Sequence, residues 1–199
     1  MKTSATIVIP TFNRENLLQE AIESALGQTW AAEVIVVDHG STDGTPEVAE
    51  KFGESIVYIR REIDSGPVFS WLDGVLAAKS ELVKLLYDDD VLDKSFLEAT
   101  IPLITPEVGF VFTRAAMIDK NGQFVTELLN NLAPSGGTFA GYQSRSRVRH
   151  QLISPSATLL RKRGLVDGLY CGKLPLQKTE SHGAGADNFV KHLCLLRYP

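Results

Sequence analysis

The feature that most narrows the fold of this 199-residue chain is an alternation across its first hundred residues, in which short β-branched runs trade places with segments of helical period. "ATIVIPT" (5–11), "EVIVVDHG" (33–40), "SIVYIRR" (55–61) and "LVKLLY" (82–87) are largely apolar and too short for helices, which is how strands buried on both faces read. Between the first two, Leu17, Leu18, Ala21, Ile22, Ala25 and Leu26 recur at helical spacing, with Asn13 as a cap and Gly27 near the stop. Thr45 and Pro46 open a short helix through "PEVAEKF". Val68, Trp71, Leu72, Val75 and Leu76 share one face of "GPVFSWLDGVLAAK", and Asp93 is placed to cap a helix through "KSFLEATIPLI". Such alternation predicts an α/β fold, a mostly parallel Rossmann-like sheet flanked by helices.

Beyond residue 107 the pattern changes. "VGFVFTRAAMI" and "QFVTEL" flank "DKNG" and predict an extended hairpin. Residues 129–150, rich in Gly, Ser, Asn and Arg, predict a long and partly mobile loop, followed by a strand-like "SATLL" and a last helix near 187–196. The expected organisation is one domain in two halves, a ligand-binding half over 1–115 and a smaller mixed half over 116–199.

Charge excludes one class of partner. Twenty Lys and Arg against 24 Asp and Glu give a net charge of -4, so there is no general basic surface for a nucleic-acid backbone. Cys171 and Cys194 stand far apart without a CxxC or a histidine at ligand spacing, which argues against a disulfide framework or a zinc site and fits a reducing cytoplasm. The apolar stretch before Pro10 is too short for a signal peptide, and no run approaches the roughly 20 apolar residues that span a bilayer. The expectation is a cytoplasmic chain, compatible with resting on the inner face of a membrane.

In parallel α/β sheets ligands bind beyond the carboxyl ends of the strands. Three polar clusters fall there: "PTFNR" (10–14), "DHGSTDGT" (38–45) and "DDD" (88–90). Gly40 and Gly44 permit tight turns, Ser41, Thr42 and Asp43 supply short polar groups at a helix start, and Asp38 offers acceptors to a base or ribose; alternatively the segment is only a capped strand-to-helix turn. Adjacent carboxylates repel, so Asp88, Asp89 and Asp90 are either a solvated strand end with a helix cap or the seat of a divalent cation, Mg²⁺ or Mn²⁺, completed by water and substrate phosphates.

Taken in order and spacing, "TIVIPTFNR", "VIVVDHGSTDGT" and "KLLYDDDVLDKSFLE" resemble the family 2 glycosyltransferases of the GT-A fold. The resemblance covers about residues 4–115, with a weaker echo in "SPSATLLRKRGL" and "GADNFVKHLCLLRYP". It implies an enzyme that moves a sugar from a nucleotide diphosphate sugar, UDP-sugar favoured, to an acceptor hydroxyl of a glycan or lipid-linked acceptor in polysaccharide or glycoconjugate synthesis. It implies a divalent metal on the diphosphate and inversion at the sugar. Carried over by position, Pro10, Thr11, Asn13, Arg14, Asp38, Gly40, Ser41, Asp43, Asp88 and Asp89 surround the nucleotide, with Asp38 facing the base. Asp88 and Asp90 have the DxD spacing of metal ligands, and Asp89 is an alternative because many members use the following pair. Asp187 in "GADN" stands where the family has its general base, although the same residue also suits a helix cap.

Two departures stand out. His39 replaces the second acid of the family's "DDGS" pattern, and members usually run on past a "RYP"-like position, which implies a chain truncated at its C-terminus. The basic groups "RSRVRH" (145–150) and "RKR" (161–163) are either phosphate contacts or solvated surface, and Trp30 and Trp71 are core candidates. A receiver domain would need an acidic pair after the first strand, a sugar-phosphate nucleotidyltransferase a Gly-rich basic loop there, and a dinucleotide-dependent oxidoreductase GxGxxG. None is present. A non-catalytic nucleotide-sugar-binding protein remains the alternative from another class.

Overall fold

The computed structural model describes residues 5–106, 108–128 and 155–170. Its centre is a six-stranded sheet in the order β3-β2-β1-β4-β8-β5. The strands are β1 (Ala5–Thr11), β2 (Glu33–His39), β3 (Val57–Arg61), β4 (Leu82–Leu85), β5 (Phe110–Phe112) and β8 (Thr158–Arg161). A separate two-stranded sheet joins β6 (Ala115–Ile118) to β7 (Phe124–Leu128). The helices are α1 (Leu18–Leu26), α2 (Thr45–Glu50), α3 (Pro67–Ala77), α4 (Phe96–Thr100) and α5 (Lys162–Tyr170).

β1 to β4 pair in parallel, as the alternation predicts, and β1 is buried along its whole length. Period-two alternation divides each central strand between two cores. Ile7, Ile9, Val34 and Val36 meet Leu18, Ile22, Val48 and Leu97 on the side of α1, α2 and α4. Val8, Ile35, Val37 and Val83 meet Trp71, Val75 and Leu165 on the side of α3 and α5. Helix α3 lies close to the sheet because Gly74 has no side chain, and a methyl there would collide with Val8 and come within 3.0 Å of Val37 Cγ2.

Several local expectations are corrected. α1 begins at Leu18, and Asn13 does not cap it but takes a left-handed φ of 55° and reaches elsewhere. Leu76, expected on the buried face of α3, is 47% exposed, because Ser70 and Gly74 share the inner face with Trp71 and Val75. Asp93 does not cap α4. Its Oδ1 accepts from the Ser95 amide and hydroxyl, and the helix starts at Phe96. Residues 108–118 are not one hairpin arm: Phe110–Phe112 joins the large sheet beside β8, and only Ala115–Ile118 pairs with β7.

The boundary expected at 115/116 is crossed by the sheet, since β8 lies antiparallel between β4 and β5. The "RKR" cluster takes neither expected part at its first two positions. Arg161 donates to the carbonyls of Val108 and Thr105 and pairs with Glu81, and Lys162 Nζ donates to the carbonyls of Leu76 and Ala78 at the end of α3. The loop expected at 129–150 with its basic group, both cysteines and the helix near 187–196 lie outside the described residues.

Candidate functional site

Strand order reverses between β1 and β4: β2 and β3 follow on one side, while β4 lies on the other. Loops leaving the carboxyl ends of such neighbours diverge and leave a crevice. The loop after β1 carries Phe12 to Arg14 and the turn after β4 carries Asp88 to Asp90, so two of the three polar clusters face each other across this point. Arg14 Nε stands 3.6 Å from Asp88 Oδ1.

The loops after β1 and β2 are fastened along their length. Asn13 N–H donates to Ser41 Oγ at 2.9 Å, Asn13 Oδ1 accepts from the Thr42 amide at 2.9 Å, and Arg14 N–H donates to Thr45 Oγ1 at 2.8 Å. Glu15 N–H donates to Asp43 Oδ2, and Glu15 Oε2 accepts from the Gly44 amide at 2.7 Å. Burial raises the Asp43 pKa, but the hydrogen bonds from Thr45 and Glu15 outweigh it and hold the carboxyl below its usual range. Gly40 turns the chain at a φ of 81°, where a Cβ would come within 2.9 Å of the Glu62 carbonyl. Asn13, Ser41, Asp43 and Gly40, all expected around a nucleotide, thus shape the two loops and fasten them to each other. Pro10 is enclosed in β1.

Asp38 faces inward. It has no solvent exposure; its Oδ1 accepts from the Ser41 amide at 2.9 Å and the Ser41 hydroxyl at 2.6 Å, and its Oδ2 accepts from Tyr58 at 2.7 Å. Arg60 Nε lies 3.7 Å from the same Oδ2 and its Nη2 donates to the Ser41 carbonyl. Where direct contact with a base is expected, the structure makes Asp38 the anchor of its own loop. Burial, then the hydrogen bond to Asp38, pushes the Tyr58 hydroxyl far above its ordinary pKa, so it stays a donor.

The three carboxylates of the acidic turn lie in unlike surroundings. Asp88 is only 13% exposed in its side chain. Burial pushes its carboxyl up to about 6; Thr11 and Arg14 lower it and neighbouring Asp89 raises it. The Thr11 hydroxyl is buried and completes no hydrogen bond among the described residues, though it lies close enough to stabilise the Asp88 carboxylate. Asp89 is exposed and Asp90 half-buried. Beneath them Lys84 is wholly buried, donating to the Leu85 carbonyl at 3.0 Å with its Nζ 4.8 Å from the centre of the Phe96 ring. Burial drives its pKa well below the lysine range, and Asp90 partly restores it.

His39 is buried, with Nε2 3.2 Å from Asp73 Oδ2 on α3, and its Nδ1 meets no partner among the described residues. Asp73 also accepts from Arg61 Nε and Nη2 at 2.8 and 2.6 Å, and chiefly for that reason its carboxyl is held below the usual range. Sequence reasoning missed Tyr58, Arg60, Arg61 and Asp73. A signal existed for two of them: parallel register sets Arg60 beside Asp38 and Arg61 beside His39 once β3 is the neighbour of β2.

Among the described residues no three acidic, histidine or cysteine side chains converge into a metal cage. The available donors, one or two carboxylates of the turn, fit a hard cation that keeps water and needs phosphate oxygens to complete its shell. Asp187 lies outside the described residues. Among those residues no helix is long and apolar enough to cross a membrane.

Known proteins resemble this chain in sequence and in fold. The sequence model described as "Glycosyl transferase family 2" matches residues 6–166. An uncharacterized glycosyltransferase of Rickettsia prowazekii is 37% identical over 101 residues, 50% of this chain and 31% of the relative. The GalNAc(5)-diNAcBac-PP-undecaprenol beta-1,3-glucosyltransferase of Campylobacter jejuni is 32% identical over 127 residues, 61% of this chain and 41% of the relative. The chain thus spans less than half the length of these relatives. Among solved structures, S. aureus TarS 1-349 superposes with a TM-score of 0.72 at 22% identity, covering 96% of this chain and 55% of TarS. The mannosyltransferase PcManGT of Pyrobaculum calidifontis, in complex with GDP-Man and Mn²⁺, gives 0.63 at 18% identity, covering 93% and 49%. These likenesses establish the GT-A fold.

Proposed function

The chain belongs to glycosyl transferase family 2, and we propose that it carries a metal-dependent, inverting transfer of a sugar from a nucleotide diphosphate sugar, UDP-sugar favoured, to a hydroxyl of a glycan or lipid-linked acceptor. The observation that carries this reading is the meeting, at the switch point of the sheet, of Arg14, the buried Thr11 hydroxyl and an Asp88 whose carboxyl is pushed up to about 6 by burial. Such a corner gains when a cation and a diphosphate arrive together. A divalent ion, Mg²⁺ or Mn²⁺, held by Asp88 with Asp89 or Asp90, would supply charge stabilisation for the departing diphosphate. Arg14 would follow the phosphates, and the hydrogen-bonded loops at 10–15 and 38–45 would face the nucleoside.

In the transfer, the acceptor oxygen bonds to the anomeric carbon as the bond from that carbon to the phosphate oxygen breaks. The acceptor proton passes to a base, assigned to Asp187 on family resemblance. The electron pair leaves with the nucleoside diphosphate. The Mn²⁺ complex of the mannosyltransferase neighbour supports a divalent ion, and the undecaprenol in the Campylobacter relative's name supports a lipid-linked acceptor.

The test is calorimetric titration of UDP, dTDP and GDP into the purified chain, with Mn²⁺ or Mg²⁺ and again with chelator. One nucleotide bound tightly with metal and much more weakly, though still measurably, in chelator is the expected result, with Asp88→Asn or Asp90→Asn weakening binding far more with metal than without. Equal loss in both conditions would overturn the metal assignment. Binding without transfer, with Asp187→Asn altering nothing, would favour a non-catalytic nucleotide-sugar-binding protein.

A further inference from the structure

The acidic turn is tethered at both ends by serine hydroxyls from remote parts of the chain. At its start, Leu86 N–H donates to the Val8 carbonyl at 2.9 Å, and Tyr87 N–H, the last amide before Asp88, donates to Ser156 Oγ at 3.0 Å. At its end, Leu92 N–H donates to Ser24 Oγ at 3.1 Å. Ser24 lies on α1 and passes its own proton to the Ala21 carbonyl at 2.8 Å, which leaves its lone pairs to the turn. Ser156 lies in the short 3-10 turn Pro155–Ala157 that leads into β8, the strand inserted beside β4. The Tyr87 ring rests against Trp71 at 6.2 Å between centroids, and Asp90 N–H closes the turn on the Tyr87 carbonyl.

From this we infer that Ser24 and Ser156 are positioning residues for the metal-binding carboxylates, an inference that rests on the function proposed above. Asp88 and Asp89 repel each other, so an untethered turn relaxes by spreading its carboxylates. Metal ligation tolerates errors of only about 0.2 Å in ligand distance. The two hydroxyls fix the backbone on either side of Asp88–Asp90 and oppose that spreading. Ser156 also makes the metal corner depend on a segment 69 residues downstream, so the acidic turn takes its final shape only when β8 has entered the sheet.

The experiment compares the wild type with Ser156→Ala, Ser24→Ala and Ser156→Thr. It uses calorimetric titration of UDP and GDP with Mn²⁺ and with chelator, together with amide exchange at Tyr87 and Leu92 and the thermal midpoint. Each alanine variant should lower Mn²⁺-dependent affinity about tenfold, the scale of one lost buried hydrogen bond, while affinity in chelator stays within about twofold. Exchange should quicken at the amide that lost its acceptor, and Ser156→Thr, which keeps the hydroxyl, should recover most of the affinity. Affinities with metal and with chelator falling together in step with the thermal midpoint would reduce both serines to general stability and overturn the inference. So would unchanged Mn²⁺-dependent affinity in both alanine variants. A wild type that binds no nucleotide, or binds equally with and without chelator, would instead overturn the metal-dependent function and this inference with it.

Discussion

Asn13 and Thr42 stand 29 residues apart in the chain, yet the Asn13 side-chain oxygen accepts the Thr42 backbone N–H at 2.9 Å and so closes the first loop of the site onto the second. Asn13 does this from a left-handed backbone, which short polar residues and glycine tolerate best. Replacing Asn13 by Ala should therefore cost about 2 kcal/mol, from the lost hydrogen bond together with the backbone penalty. Asn13→Gly keeps the backbone and loses only the bond, so it should cost about half as much. Urea denaturation of the two variants separates the contributions, and equal costs would refute the backbone part.

Asp88 should give the metal-free protein a pH dependence whose sign follows from its burial. Its folded-state pKa, about 6, lies above the ordinary value of 3.8. Between those values the folded chain binds more protons than the unfolded chain, so this group's contribution to stability is fully present below 3.8 and lost as pH rises through 6. Asp88→Asn removes the loss. In chelator it should stabilise the protein by about 2–3 kcal/mol at about pH 8 and by little at about pH 4, read from thermal midpoints. With Mn²⁺ and nucleotide the advantage should reverse, because the wild type then gains binding energy that the variant lacks.

His39 meets Asp73 across 3.2 Å in a buried setting. An acid at position 39, as in the common family pattern, would face the Asp73 carboxylate instead. His39→Asp should destabilise the chain by about 2–4 kcal/mol, and Asp73→Asn in the same chain should restore much of that. A double-mutant cycle by urea denaturation checks the coupling, and strictly additive costs would show that the two side chains do not interact.

Lys84 is buried with its pKa driven well below the usual lysine range. Between that lowered value and its ordinary 10.5 the unfolded chain holds more protons, so stability should rise with pH across this window. Lys84→Met keeps the length of the side chain against Phe96 and removes the charge. It should flatten that rise and leave stability near neutral pH equal or higher. Thermal midpoints across the alkaline range measure this, and an unchanged slope in the variant would refute it.

The parallel core was legible because its signals are local: each strand is a short apolar run, and each helix carries its own period. The insertion of β8 between β4 and β5 was not, since nothing in "SATLL" names its neighbours. The site divides in the same way. Gly40 and the three acids at 88–90 stand out by residue type, whereas Asn13 was misread as a cap because a short amide serves a nearby helix and a distant loop equally well. Asp73 gave no sign at all, because its partners His39 and Arg61 come from two different strands.

By itself, the sequence determined the α/β architecture, the order of its first four strands' clusters and the residue types gathered at their carboxyl ends, because hydrophobic period and turn chemistry act over a few residues. Only the tertiary structure decided which of those residues stand open at the crevice and which spend their hydrogen bonds on one another. Asp38 turned inward to Ser41 and Tyr58, while Asp88 was left at the crevice beside Arg14. That division follows from burial. A carboxylate removed from water must find donors, and where they lie is set by strand order and helix packing across the whole chain.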